Sequence, residues 1–95
     1  MQAAHVKTRT TFQAGYAQPQ QNIWTSCGRG STPEKARDAL KENLHARGLQ
    51  WVASYFKHNP EHPSSNKLVA ALYDQGIKYA TDGIYTETSF EEGVL

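Results

Sequence analysis

Residues 22–44, NIWTSCGRGSTPEKARDALKENL, decide how this chain folds. Residues 23–27 alternate between two faces, as a half-buried strand does. A glycine pair then interrupts the pattern, and a helix is predicted to begin after it because Ser31 or Thr32 can cap the first free N–H groups. The stretch therefore predicts a strand that turns directly into a capped helix.

The predicted helix has well-placed residues in its first turn. Pro33 suits that turn, and Glu34 lies near the positive end of the helix dipole. If Ser31 is the cap, Ser31 and Glu34 also form a capping box. If Gly30 has a positive φ, the joint depends on glycine for its backbone conformation. The predicted buried stripe of the helix is Ala36, Leu40 and Leu44.

The chain after Gly48 permits two interpretations. A glycine at this point can end a helix, and the following LQWVASYF is aromatic and β-branched enough for a third strand. Trp51 and Tyr55, however, continue the stripe of Leu40 in helical phase. This phase favours a helical continuation, and the strand remains the alternative.

The flanking segments complete the predicted architecture. Residues 5–16 alternate as a first strand, and the polar AQPQQN that follows suits a hairpin loop. HNPEHP breaks regular structure, a second helix is predicted over 67–79, and Asp82 and Gly83 predict a turn. Residues 84–90 predict a short edge strand, followed by a loose acidic tail from about residue 91.

These elements predict an α+β fold: an N-terminal antiparallel β-hairpin, a capped helix with its helical or third-strand continuation, a second helix and a short C-terminal strand. Ninety-five residues suit a single domain, spanning 1–95, and a composition with 38% hydrophobic and 20% charged residues is that of an ordered globular chain. The single cysteine, Cys27, cannot form an internal disulfide, which favours a reducing, cytoplasmic location. No run approaches the length of a membrane helix, and no export signal is expected.

Charge is distributed unevenly along the chain. Residues 1–60 hold eight Lys or Arg against three acids, whereas residues 61–95 hold two against six. Such asymmetry either marks a basic docking face or cancels when the two ends of the chain pack together. Direct nucleic-acid binding through a basic hairpin and first helix is therefore an alternative function, with Trp24 or Tyr16 available to stack on a base.

The residues that could carry chemistry do not form a known signature. His58 and His62 have a ligand spacing, but Pro60 lies between them and opposes a shared helix. Cys27 precedes a helix N-terminus, yet the spacing singles out no base for it. GRGSTPEK lacks both phosphate-loop patterns. We therefore predict no enzyme activity, no cofactor and no metal.

The segment GRGSTPEKARDAL, residues 28–40, resembles the strand-to-helix joint of double-stranded-RNA-binding domains. Gly28, Gly30, Thr32, Ala36 and Arg37 match that pattern. Pro33 and Glu34 stand where the family has two lysines, which grip RNA phosphates. The same joint also resembles the turn of HicB-like antitoxin domains and other small β-β-α proteins. The resemblance implies a β-β-α unit.

We predict a non-catalytic interaction module of inhibitor or adaptor type, comparable in size to small regulators of phages and mobile elements. Its partner would be a larger protein or a ribonucleoprotein. The predicted surface combines the outer face of the hairpin with the first helix, because Trp and Arg are enriched at the energetic centres of interfaces. Its predicted anchors are Arg9, Trp24, Arg29, Arg37 and Lys41.

Overall fold

A computed structural model describes residues 7–18, 20 and 23–94. In chain order the elements are β1 (Lys7–Gln18), β2 (Ile23–Gly30), α1 (Pro33–His58), α2 (Asn66–Ala80) and β3 (Ile84–Val94). This architecture confirms the predicted α+β fold, with an N-terminal hairpin, two helices and a C-terminal strand. Residues 5 and 6 of the predicted first strand and residues 19, 21 and 22 of the predicted hairpin loop lie outside the described residues.

The three strands form one antiparallel sheet in the order β2-β1-β3. On β1, Ala14 pairs with Gly28 of β2 on one side and with Glu87 of β3 on the other. A bulge at Thr25 interrupts the pairing of β1 with β2. The hydroxyl of Thr25 donates both to the carbonyl of Tyr16 at 3.1 Å and to that of Asp82 at 3.0 Å. The side chain of Thr25 at the bulge thereby connects the end of β1 to the turn before β3.

The joint after β2 works through close packing. Thr32 is the helix cap, because its hydroxyl accepts from the N–H of Lys35 at 3.1 Å, so the Ser31 capping box does not form. Among the described glycines only Gly83 has a positive φ, 137°, which rules out the suggested backbone role of Gly30. Gly28 instead lets α1 approach β2, since a Cβ there would lie 2.2 Å from the backbone nitrogen of Leu40.

Helix α1 continues unbroken through Gly48, as the helical phase of Trp51 predicted. Its second half packs against α2, where a Cβ on Gly48 would lie 2.5 Å from the ring of Tyr73. Opposite it, a Cβ on Gly76 would lie 2.6 Å from the Cβ of Trp51. Small residues thus bring the two helices together, and α1 ends at His58, ahead of Pro60, as predicted.

The core is shallow. Among the described residues the buried hydrophobic side chains are Ala14, Ala36, Leu40, Leu72 and Ala80. The chain exposes 7244 Å², whereas a compact monomer of this mass exposes about 5,500 Å². The predicted stripe of α1 is confirmed, with Leu44 partly buried beside Ala36 and Leu40. Packing is concentrated in two thin layers, one between α1 and the sheet and one between α1 and α2, and much apolar surface remains on the outside.

Strand β3 is longer than the predicted short strand. It runs for 11 residues to Val94 and pairs with β1 along its whole length. Residues 91–94 therefore lie in a strand, where a loose acidic tail was expected. The difference arises because β1 begins at Lys7 and gives each of residues 91–94 a pairing partner.

Candidate functional site

Both helices lie on one side of the sheet. The Ala14–Gly28 pair faces α1, and the buried hydroxyl of Ser26 donates to the carbonyl of Ala80 at the end of α2, at 2.7 Å. Side chains at the alternate positions point the other way, and no described helix covers them. We call this side the open face. Its described residues include Arg9, Thr11, Gln13, Cys27, Arg29, Thr86, Thr88 and Phe90.

Arg29 lies on the open face, near the end of the edge strand β2, and is held in place from two directions. Its Nε donates to Oε1 of Gln13 at 2.8 Å, and Gln13 is only 3% exposed although its face carries no helix. The guanidinium carbon lies 5.7 Å from the ring centre of Phe90. Arginine stacks well on aromatic faces and keeps its charge at all physiological pH values. A buried amide and an aromatic ring therefore orient one exposed cation.

Arg9 extends this basic area. Arg9, Thr11 and Arg29 line a hollow of about 330 Å³ together with Gly30 and Ser31. The two arginines come from different strands and meet because β1 pairs with β2. In the register of the sheet Arg9 lies opposite Glu92, also at an open-face position. Arg29 is therefore the oriented cation of this part of the surface, with the exposed ring of Phe90 beside it.

Arg37 lies on the other side of the sheet. Its guanidinium donates to Oε1 of Glu87 on β3 at 2.8 Å, and the hydroxyl of Tyr85 donates to the same oxygen at 2.6 Å. The hydrogen bond from Tyr85, followed by the hydrogen bond and charge of Arg37, lowers the pKa of Glu87. The bond to Glu87 in turn raises the pKa of Arg37 and that of Tyr85. These three groups link α1 to β3.

The remaining two predicted anchors lie apart from Arg29. Lys41 is exposed on α1, one turn after Arg37. Trp24 is half-buried at the start of β2, in a hollow shared with Arg47 and Gln50 of α1. The structure thus brings Arg9 and Arg29 together but places Arg37 and Lys41 on the helix side. The hairpin and α1 do not present one continuous platform.

Sequence reasoning missed Gln13 and Phe90. Both belong to alternating segments, so the sequence could show that each faces one side of a strand. It could not show that β3 lies beside β1, and that pairing is what carries Phe90 across the sheet toward Arg29. Cys27 is half-buried on the open face with its thiol free. Within the described ranges no three His, Cys, Asp or Glu side chains form a metal-binding group.

Comparison with known proteins finds no matching family model, no matching curated protein and no matching solved structure. The resemblance of residues 28–40 to double-stranded-RNA-binding and HicB-like joints therefore stays a prediction. Neither α1 nor α2, the helices of the described residues, is long and apolar enough to cross a membrane.

Proposed function

We propose that this protein acts by contact, without catalysis, as an inhibitor or adaptor that binds a larger protein or a ribonucleoprotein through its open face. The observation that carries the proposal is the oriented guanidinium of Arg29, held between Gln13 and Phe90 on an uncovered sheet. A small cytoplasmic regulator, of the size that phages and mobile elements carry, fits this mode of action.

Arg29 is prepared to bind an anion. Its Nε is occupied by Gln13, whereas its two terminal amino groups donate to no described residue. An arginine held in one orientation loses little conformational entropy on binding, and its planar fork suits a carboxylate or phosphate. The geometry therefore favours recognition of one anionic group, with Phe90 supplying apolar contact next to it.

The partner surface follows from the surroundings of Arg29. Arg9 lines the adjoining hollow, together with Thr11, Gly30 and Ser31. Phe90 is 36% exposed, and burying an aromatic ring at the centre of an interface contributes strongly to affinity. We expect a partner patch that carries at least one carboxylate or phosphate beside an apolar side chain.

The test compares wild type with Arg29→Glu as bait in affinity capture from the native host, followed by titration of each purified candidate. Arg29→Glu should weaken the affinity for the true partner at least tenfold, since it reverses the charge at position 29. The matched control is Lys67→Glu, which makes the same charge change at an exposed position near the start of α2. Equal loss in both variants, or no loss in either, would overturn the proposal.

A second candidate function is binding of single-stranded nucleic acid. The observation in its favour is the exposed ring of Phe90 beside two arginines on an antiparallel sheet, because such faces can stack unpaired bases. A labelled twelve-nucleotide strand should then bind with an affinity that falls steeply with salt. Phe90→Ala should weaken it, and Tyr79→Ala, another exposed ring remote from the open face, should not. No binding at low salt removes this candidate.

A further inference from the structure

The two edge strands of the sheet, β2 and β3, differ in whether side chains of the helices contact their outward backbone groups. Along β2, Nδ2 of Asn43 donates to the carbonyl of Cys27 at 2.6 Å, and Arg47 reaches the carbonyl of Thr25 at 3.5 Å. Both side chains come from α1. Two outward carbonyls of β2 therefore already accept hydrogen bonds, which hinders pairing of another strand along this part of the edge.

The direction of the Cys27 carbonyl also shows which backbone groups of β3 point away from β1. Because the carbonyl of Cys27 points away from β1, its partner Gly15 points toward β3 and forms hydrogen bonds with Thr86. Alternation along the strand then directs Thr86, Thr88 and Phe90 inward to β1. The N–H and C=O groups that point outward belong to Tyr85, Glu87, Ser89 and Glu91.

No described side chain caps this outer edge of β3. The strand has 11 residues and contains neither proline nor lysine, two residues that commonly protect exposed edges. Its alternate side chains on the helix side, Tyr85, Glu87 and Ser89, are exposed. A long edge with unpaired backbone groups is the surface to which proteins add an extended segment from a partner.

The charge of β3 selects the occupant. Residues 84–94 carry three glutamates, Glu87, Glu91 and Glu92, and no basic residue. A second copy of β3 laid along this edge would add three more negative charges, which like-charge repulsion disfavours. A basic strand is favoured instead, and within the fold β3 already pairs with one, since Lys7 and Arg9 lie opposite its last residues.

We propose that the outer edge of β3 binds an extended basic segment of another protein by adding it as a fourth strand of the sheet. An adjacent hollow of about 240 Å³ gives the segment a further contact on the helix side. Its apolar lining includes Phe12, Ala14, Pro33 and Ala36, and its rim includes Glu87 and Ser89 of β3. A long apolar side chain of the added strand enters this hollow, while a basic residue faces Glu91, since Glu87 is already bonded to Arg37 and Tyr85.

The probe is a twelve-residue peptide that alternates lysine or arginine with threonine and has one central phenylalanine. We expect it to shift the amide resonances of Tyr85, Glu87, Ser89 and Glu91 and to slow their hydrogen exchange at least tenfold. The matched control peptide replaces each base by glutamate and should not bind. Failure of the basic peptide to bind at millimolar concentration would overturn the proposal.

The matched variants are Ser89→Pro and Ser89→Ala. Proline removes an outward N–H and leaves the inward bonds to β1, so it should weaken the peptide at least tenfold, whereas alanine should not. If Ser89→Pro fails to fold, the probe peptide is instead N-methylated at alternate residues. This removes the peptide N–H groups that would donate to the edge of β3, and it should abolish binding. Binding that survives this methylation contradicts strand addition.

Two further outcomes separate this site from the open face. Arg29→Glu should leave peptide affinity within twofold of wild type, because Arg29 lies on β2 and on the other side of the sheet. Peptide-induced shifts confined to Arg29 and Phe90 would overturn the edge site. Dimers of the chain that disappear in Ser89→Pro would show that a second copy occupies the edge, which also contradicts the proposal.

Discussion

Helix α1 makes two close contacts, one with the sheet and one with α2, and they differ in what lies opposite the glycine. At Gly28 an added Cβ would meet the backbone of α1 at Leu40 and Ala39. At Gly48 it would meet the ring of Tyr73, a side chain that can rotate. The first contact is therefore rigid and the second is adjustable, although both rely on the absence of a side chain.

The largest effect is expected at the rigid contact. Gly28→Ala should lower the free energy of unfolding by about 3 kcal/mol, the upper range for overpacking, because a backbone 2.2 Å away cannot move without displacing α1. Thermal and urea unfolding measure the change. Cys27→Ala, the neighbouring position on the open face, is the control and should cost less than about 1 kcal/mol. Equal effects of Gly28→Ala and Cys27→Ala would show that the contact between β2 and α1 can adjust, which contradicts a rigid contact.

The next largest effects on stability are expected at the contact between α1 and α2, where substitutions of two glycines can be compared. Gly76→Ala should cost about 2 kcal/mol, since its Cβ would meet the Cβ of Trp51 at 2.6 Å and the backbone of Gly48 at 3.1 Å. Gly48→Ala should cost about 1 kcal/mol or less, because the ring of Tyr73 can shift. The helix propensity that alanine gains over glycine, about 1 kcal/mol, is the same at both positions. Denaturant midpoints of the two variants compare them directly. The reverse ranking would contradict the adjustable contact.

The smallest effect concerns the link between α1 and β3. Because the folded state lowers the pKa of Glu87, this carboxylate stabilises the fold above the ordinary glutamate pKa, and the contribution disappears as pH falls through the folded-state value. Glu87→Gln should therefore be slightly less stable than wild type at neutral pH, and the difference should vanish in acid. Melting temperatures across that pH range test this. The pair is exposed, so the effect is small.

Local features of the fold could be predicted from the sequence, whereas its long-range pairings could not. Pro33, the helical phase of Trp51 and the break at Pro60 each act within a few residues, and α1 has the expected course. The position of β3 beside β1 depends on residues about 70 apart in sequence, for which no local pattern exists. The same pairing explains why residues 91–94 belong to β3 and do not form a loose tail.

The candidate site shows the same division. Arg9 and Arg29 were predicted as anchors, because charge and residue type can be read directly. Their separation from Arg37 could not be predicted, since it depends on which face of the hairpin α1 covers. That choice is made by Gly28, whose missing side chain admits the helix on one side only.

The covering of β2 by Asn43 and Arg47 also limits how far the sheet can grow. A sheet with two joinable edges can propagate into a fibre, but in this one side chains of α1 already contact two outward carbonyls of β2. The proposed strand addition would therefore join a segment to each chain at β3, while growth of the sheet through β2 would be hindered.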